Sequence, residues 1–496
     1  MGYLKARHDL LTLAGIGLAS ALVYWLVFVR PFPLAHLYAT IPPVDYAKLT
    51  GHSVGGAMRY TLAILALFAG YVVALRTLRQ LPARTPLQRQ AWILVIGGAI
   101  LFSATLALAY PTTAIDLLIY GVRTRGWAIY NLNPLAAAPQ QLPGDPLAGL
   151  AAEWADAPSP YGLVWEGASR LVFGLAGGDF LAHLFGLKAM AVLAFLGCVA
   201  LVALTMRRLN PDWTLVAAAA LAWNPLALLE AAGNGHNDTL MTFFMLAAVT
   251  FAASERRWLV IPALTLSILT KFVTVLVFPF FLLYLVRRQA SWPGRAGVAL
   301  ANLALAAGLG LALMAPVWPG WENWAVRDLG QGAGKSPFAL LVLLLRPWLT
   351  TNVAFDVSRA LLGGLFLVIY LWLAWRALSG PPDLPHVVLA PSFGVFFWYL
   401  MLPNQQFHAW YLLWPLALGA LLIPSPDFTR VAVFGLTALL SITLYETLRV
   451  WWWDTLTPLV LHLIAVPLVF GPPVVVGIRG WGTHWLLTNS DEIPTI

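Results

Sequence analysis

Apolar stretches of about 18–25 residues, each bounded by charge or by Pro/Gly, recur from one end of this chain to the other. A helix needs about 20 residues to cross a hydrocarbon core of about 30 Å. Lipid offers the backbone no hydrogen-bond partner, so such stretches must be helices. With 60% hydrophobic and 10% charged residues over 496 positions, the composition matches no soluble domain. The expected fold is an all-α polytopic integral membrane protein, a single domain over residues 1–496 with no appended soluble unit and no repeated helical block.

Hydropathy places twelve full crossings near 10–29, 57–75, 91–110, 182–206, 214–232, 238–253, 296–316, 356–377, 387–402, 410–423, 431–449 and 456–478. The stretch 258–286 is too long for one ordinary span and carries Lys271 near its centre, with Arg256/Arg257 and Arg287/Arg288 at its ends. A re-entrant helical hairpin with both ends on the basic side satisfies that pattern; a single long crossing would invert everything after it. Trp25, Trp92, Trp318 and Trp451, among 23 tryptophans, fall at span ends as interfacial anchors. Lys5, Arg7 and His8 precede an apolar run longer than a signal-peptide core, which reads as a retained first span.

The net charge of +8 follows from the positive-inside rule, and nothing points to a nucleic-acid partner. Arg76, Arg79, Arg84, Arg89, Arg207, Arg208, Arg295, Arg376, Arg430, Arg479 and the two arginine pairs fall on one side, which is then cytoplasmic together with both termini. The opposite face receives the long loop 111–180, the turn 233–237, the loop 317–336, the segment 403–409 and the short loop near Trp453. Residues 146–156 and 163–176 of the long loop read as amphipathic interfacial helices. The lone Cys198 lies in an apolar run, so no intrachain disulfide and no cysteine metal site is available.

Four polar constellations gather on that face. Asp116 follows a span at the start of the long loop, and if 116–125 is helical it shares a face with Tyr120 and Arg123; it is either a reactive carboxylate or a helix cap. Gly233-Asn234-Gly235-His236-Asn237-Asp238 makes a tight turn into a span, with Asp238 the alternative N-cap, and Glu230 sits inside the preceding apolar helix, where ionisable groups are expensive. Lys271, at the proposed hairpin tip, needs an anionic partner; Glu230 is one such partner and a bound phosphate another. Gln405-Gln406-Phe407-His408 leads into Trp410, Tyr411 and Trp414, an aromatic start for which an interfacial belt is the plain reading.

Asp116 with Tyr120, Ser159-Pro160-Tyr161-Gly162, Asn224-Pro225-Leu226 with Gly235-His236-Asn237-Asp238, and His408-Ala409-Trp410-Tyr411-Leu412-Leu413-Trp414 together resemble the polyprenol-phosphate-mannose-dependent α-mannosyltransferases of bacterial envelope synthesis, which are C-type (GT-C) glycosyltransferases. The matching blocks run from about 112 to 415. The chain departs at Leu163 and Ala409, where that family commonly carries proline. The resemblance implies an inverting glycosyltransferase in the bacterial cytoplasmic membrane. It would move a sugar, mannose by the family's habit, from a polyprenyl-phosphate donor to a glycan or glycolipid acceptor on the extracytoplasmic face. Asp116 would be the general base. Lys271, Arg123, His236 and His408, with Tyr120, Asn237, Asp238, Glu230 and Gln406, would hold the donor, and Tyr161, Trp165 and Lys335 would line the acceptor side or the loop pocket. Asp116, Glu230 and Asp238 are the carboxylates available to a divalent cation. The competing class is a transporter or flippase of a lipid-linked sugar, which also keeps ionisable groups inside a bundle; a non-catalytic scaffold needs no such convergence.

Overall fold

The computed structural model describes residues 2–81, 86–142, 144–322, 333–452 and 456–478. Arg84, Arg479, Trp453 and the centre of the 317–336 loop lie outside the described residues. In chain order the helices are α1 (Arg7–Val29), α2 (Val54–Gln80) and α3 (Pro86–Ala107), then the loop helices α4 (Asp116–Tyr130) and α5 (Leu163–Leu175). There follow α6 (Phe180–Leu209), α7 (Pro211–Ala222), α8 (Pro225–Gly233), α9 (Asp238–Ala253), α10 (Arg257–Ile268) and α11 (Phe272–Arg287). The chain continues through α12 (Trp292–Val317), α13 (Pro337–Leu345), α14 (Thr351–Ser379), α15 (Pro385–Met401), α16 (Ala409–Leu421), α17 (Pro426–Trp451) and α18 (Pro458–Ile478). Extended pairing among the described residues amounts to two isolated bridges, Pro33 with Ala109 and Gly334 with Gln406.

Eight helices are long and apolar enough to cross a bilayer, or nine if α7 and α8, bent by 50°, count as one span. The bend has a local cause: Pro225 cannot continue the preceding helix, and Asn224 restarts it by accepting from Ala227 N at 3.1 Å. Three of the twelve expected crossings, α9, α15 and α16, are apolar helices of only 10–17 residues. Their missing length is spent on the polar turns at their ends, Gly235-His236-Asn237 before α9 and Asn404 to His408 between α15 and α16.

The segment 257–287 folds back on itself. Glu255, just before α10, pairs with Arg257 at 2.6 Å and with Arg288, just after α11, at 2.8 Å, and Tyr284 Oη donates to Ala252 O at 3.4 Å. Arg287 at the same end donates to Ala377 O and Gly380 O. Twelve helical residues rise about 18 Å, too little for a full crossing, so α10 and α11 form the hairpin and Lys271 stands at its tip.

The long loop is latched to that tip by backbone. Gly162 N donates to Thr270 O at 3.3 Å and Val164 N to Leu269 O at 3.0 Å. The approach is so close that a Cβ on Gly162 would run into the Leu269 carbonyl. Further in, Arg125 pairs with Asp145 at 2.8 Å, and Arg123 donates to Ala157 O and Pro158 O at 3.0 and 3.1 Å. The loop is therefore a folded cap on the bundle. Gly162→Ala should lower the apparent melting temperature of the purified protein, because overpacking against backbone costs about 1–3 kcal/mol or more. Gly167→Ala, where nothing lies within 4 Å, should not. Equal melting of the two variants would refute the latch.

Candidate active site

Between the cap and the bundle lies a cavity of about 800 Å³, lined by the start of α4, the loop 152–161, the hairpin tip, Gly334-Lys335, the segment 406–411, the turn 43–48, and Glu446 with Arg449 on α17. Asp116, Arg123, Tyr161, Lys271, Lys335, Gln406 and His408 all face it. Tyr120, Trp165, Glu230, His236, Asn237 and Asp238 stand outside its lining, in the packing of the cap or within the bundle.

Asp116 is the first residue of α4, and α4 is helical through Tyr120 and Arg123 as the i, i+4, i+7 spacing requires. The preceding strand of backbone is held from inside the bundle. Asn234 Oδ1 accepts from Thr112 N at 3.0 Å and Thr113 N at 3.4 Å. Its amide nitrogen donates to Thr113 Oγ1 and to Glu230 Oε2, the latter at 2.7 Å. Glu230 also accepts from Thr113 Oγ1 at 3.0 Å. His236 Nε2 lies 3.2 Å from the same carboxylate, close enough for charge to act but out of line for a hydrogen bond. Lys188, fully buried, closes the end of α3 by donating to Leu106 O at 3.3 Å and to Ala109 O. Asp116 itself is half-buried, and its one hydrogen-bond contact among the described residues is a long one, 3.5 Å, from Tyr161 Oη. Its carboxylate makes no side-chain cap.

The partner of Lys271 is Asp238. Lys271 Nζ donates to both carboxylate oxygens at 2.8 and 2.9 Å, and Trp414 Nε1 donates to Oδ1 at 2.6 Å. The expected pairing with Glu230 is replaced because Glu230 already accepts hydrogen bonds from Thr113 and Asn234, whereas Asp238, at the first turn of α9, reaches the hairpin tip. Asp238 is accordingly no N-cap. The ammonium is also ringed by Tyr411, Trp414 and Tyr161 at 4.6, 5.4 and 5.7 Å from the ring centroids, a cation–π cage. Trp414 and Tyr411 are thus site residues and not an interfacial belt.

Trp410 lies between two imidazoles, His236 on one face and His408 on the other, each with ring centroids 4.2 Å away and planes 17° apart. Burial, and then the nearby Lys335 and Lys271, push the His408 imidazole well below its usual range, so His408 is neutral and offers hydrogen bonds without charge. Tyr120 packs edge-on against Tyr161 and Trp165, and Trp165 is buried behind the cavity wall. Asn237 is buried with neither side-chain atom hydrogen-bonded within the described protein.

Among the described residues no three His, Cys, Asp or Glu side chains stand close enough to share a metal ion. Asp116, Glu230 and Asp238 are committed to separate networks. Several site residues escaped the sequence reading. Asn234 looked like turn chemistry, and Glu446 and Arg449 lay within a predicted span. Their signal was available, since ionisable groups inside an apolar run are functional by default. Asp45 and Lys48, which also line the cavity, carried no such signal because they sit in an ordinary polar loop.

A search of curated proteins finds no match to this chain. Residues 42–287, which carry Asp116, the Glu230–Asp238 networks and Lys271, match the sequence model of the MptA_B family, described as alpha-(1->6)-mannopyranosyltransferase, N-terminal domain. Over these residues, just under half of its length, the chain is similar to that family of mannosyltransferases, and it is a membrane protein of the glycosyltransferase class.

Proposed function

We propose that this protein transfers mannose from a polyprenyl-phosphate donor to a hydroxyl of an envelope glycan or glycolipid, with inversion, on the extracytoplasmic face of the bacterial cytoplasmic membrane. The observation that carries the reading is the state of Asp116. Asp238 and Glu230 are buried and saturated, Glu446 is held by Lys335, and Asp45 caps a turn through Lys48 N. Among the described residues Asp116 alone combines partial burial, a place in the cavity wall and a carboxylate with only one long contact, which is what a general base requires.

In the reaction, Asp116 takes the acceptor's hydroxyl proton as that oxygen attacks the anomeric carbon. The bond from that carbon to the phosphate oxygen breaks, and polyprenyl phosphate leaves. Tyr161 steadies the Asp116 carboxylate. A cavity of this size is in the range that takes a small ligand, and its place at the ends of the helices suits a donor arriving sideways from lipid. The sidedness is supported by charge: Arg256, Arg257, Arg287 and Arg288 gather at the open end of the hairpin, away from the tip that faces the cavity, and the positive-inside rule makes that end cytoplasmic.

Asp116→Asn should keep its fold and lose transfer of label from radiolabelled polyprenyl-phosphate mannose by on the order of 10²–10⁴-fold. Wild-type turnover would reduce Asp116 to a structural residue. In a Cys198→Ala background, Gln406→Cys should react with a membrane-impermeant maleimide added outside intact cells; reaction only after the cytoplasmic side is opened would reverse the orientation. Lys271→Met leaves a buried carboxylate without its cation and should destabilise the protein by about 3–5 kcal/mol. Lys271→Met with Asp238→Asn should recover much of that loss in thermal unfolding, whereas Lys271→Met with Glu230→Gln should not. The reverse pattern would restore Glu230 as the partner.

A further inference from the structure

The phosphate that leaves in this reaction needs a cation, and most of the cations around the cavity are already committed. Lys271 gives its charge to both oxygens of Asp238 and is enclosed by three rings. Arg123 is buried, with its guanidinium turned onto the carbonyls of Ala157 and Pro158. His236 is sealed behind Trp410, and His408 is held neutral.

One corner differs. Lys335 Nζ lies 2.6 Å from Glu446 Oε1, and Arg449 stands 3.7 Å from Glu446 Oε2, one helical turn further along α17. Lys48 lines the same cavity, from a turn, Tyr46–Leu49, packed against residues 443–447. Among the described residues three cations thus face two carboxylates, Glu446 and the turn-capping Asp45, which leaves one positive charge in excess there. Its cations are also reachable: the Lys335 and Arg449 side chains are 34% and 48% exposed, against 14% for Lys271.

The backbone supplies an independent sign of construction. Lys335 has φ of +54°, a left-handed conformation that costs a residue with a Cβ free energy. It is held there by its neighbours: Gly334 N donates to Gln405 O at 3.1 Å, Phe407 N to Gly334 O at 3.0 Å, and Ser336 Oγ to Gln405 O at 2.7 Å. This turn places Lys335 in the cavity wall near His408, whose proton affinity it lowers.

We propose that Lys335 and Arg449, gathered by Glu446, bind the phosphate group of the lipid-linked donor. The inference rests on the reading of the protein as a polyprenyl-phosphate-dependent transferase. It assigns Lys335 to the donor where the sequence reading gave it to the acceptor side. Glu446 is a positioning residue: it holds two long side chains in place before the anion arrives. Lys271, by contrast, organises the wall.

The test is binding, not turnover. The purified full-length protein in detergent is titrated with farnesyl phosphate, farnesol and inorganic phosphate by microscale thermophoresis, with thermal unfolding followed in parallel. Wild-type protein should bind farnesyl phosphate in preference to farnesol, and in preference to inorganic phosphate. Lys335→Met and Arg449→Met should each weaken that binding roughly tenfold, the loss expected for a charge-assisted contact, while Lys335→Arg and Arg449→Lys should keep most of it. Binding unchanged in folded Lys335→Met and Arg449→Met would overturn the assignment and leave the donor class standing. Should inorganic phosphate bind as tightly as farnesyl phosphate, the corner takes free phosphate and the lipid headgroup assignment is lost. A wild-type protein that ignores farnesyl phosphate altogether would sink the polyprenyl-phosphate reading itself and this inference with it.

Discussion

An ammonium placed among apolar helices must be neutralised where it stands, and much of this architecture follows from how Lys271 is neutralised. Asp238 can meet it only if α9 begins deep in the bundle, which is why the polar turn before α9 consumes length that a full crossing would need. The hairpin can present Lys271 there only if it stops short and returns, and the clasp of Glu255 with Arg257 and Arg288 at its open end records that return. Trp414 completes the arrangement by donating to the same carboxylate, which ties α16 to α9 and α10–α11. One buried pair thus fixes the depth of three elements.

A second buried network acts at right angles to the first in chemical purpose. Glu230, Asn234 and Thr113 make no use of cavity space; they determine where the backbone ahead of Asp116 lies. A base, the role proposed for Asp116, must be placed to within fractions of an ångström to be effective, and a loop alone would not achieve it. The chain therefore keeps one carboxylate saturated in order to leave another unsaturated. The two are indistinguishable by residue type, and only their partners separate them.

That difference marks where the sequence was informative. The class of fold, the loop helix at 163–176, the hairpin and the convergence of the long loop, Lys271 and the 403–409 segment were all legible, because each is dictated by hydropathy, helix length and the placement of arginines; the expected helix at 146–156 is instead a short 3-10 stretch broken at Ala152, and the 233–238 turn stays inside the bundle. Pairing was not. Lys271 is separated from Asp238 by 33 positions and from Glu230 by 41, and charge alone favours neither; the choice depends on the hydrogen bonds that fill Glu230 first. Likewise Trp410, Tyr411 and Trp414 have the composition of an interfacial belt, and their use as a stack and a cation cage depends on His236, His408 and Lys271 arriving from elsewhere. The number of full-length crossings was overestimated for a related reason: hydropathy marks apolar runs, but not how much of a run is surrendered to a turn that carries chemistry.

The backbone latch between Gly162 and the hairpin tip constrains how the protein can be made. More than a hundred residues separate the two halves of that latch, and at a synthesis rate of about 5–20 residues per second the first half waits roughly 5–20 s before the second exists. Throughout that interval the N–H groups of Gly162 and Val164 must be satisfied by water, so this segment has to tolerate exposure as an unfinished surface. The cap is made well before it can be fastened, and a ribosome that stalls before Leu269 leaves it with nothing to close upon.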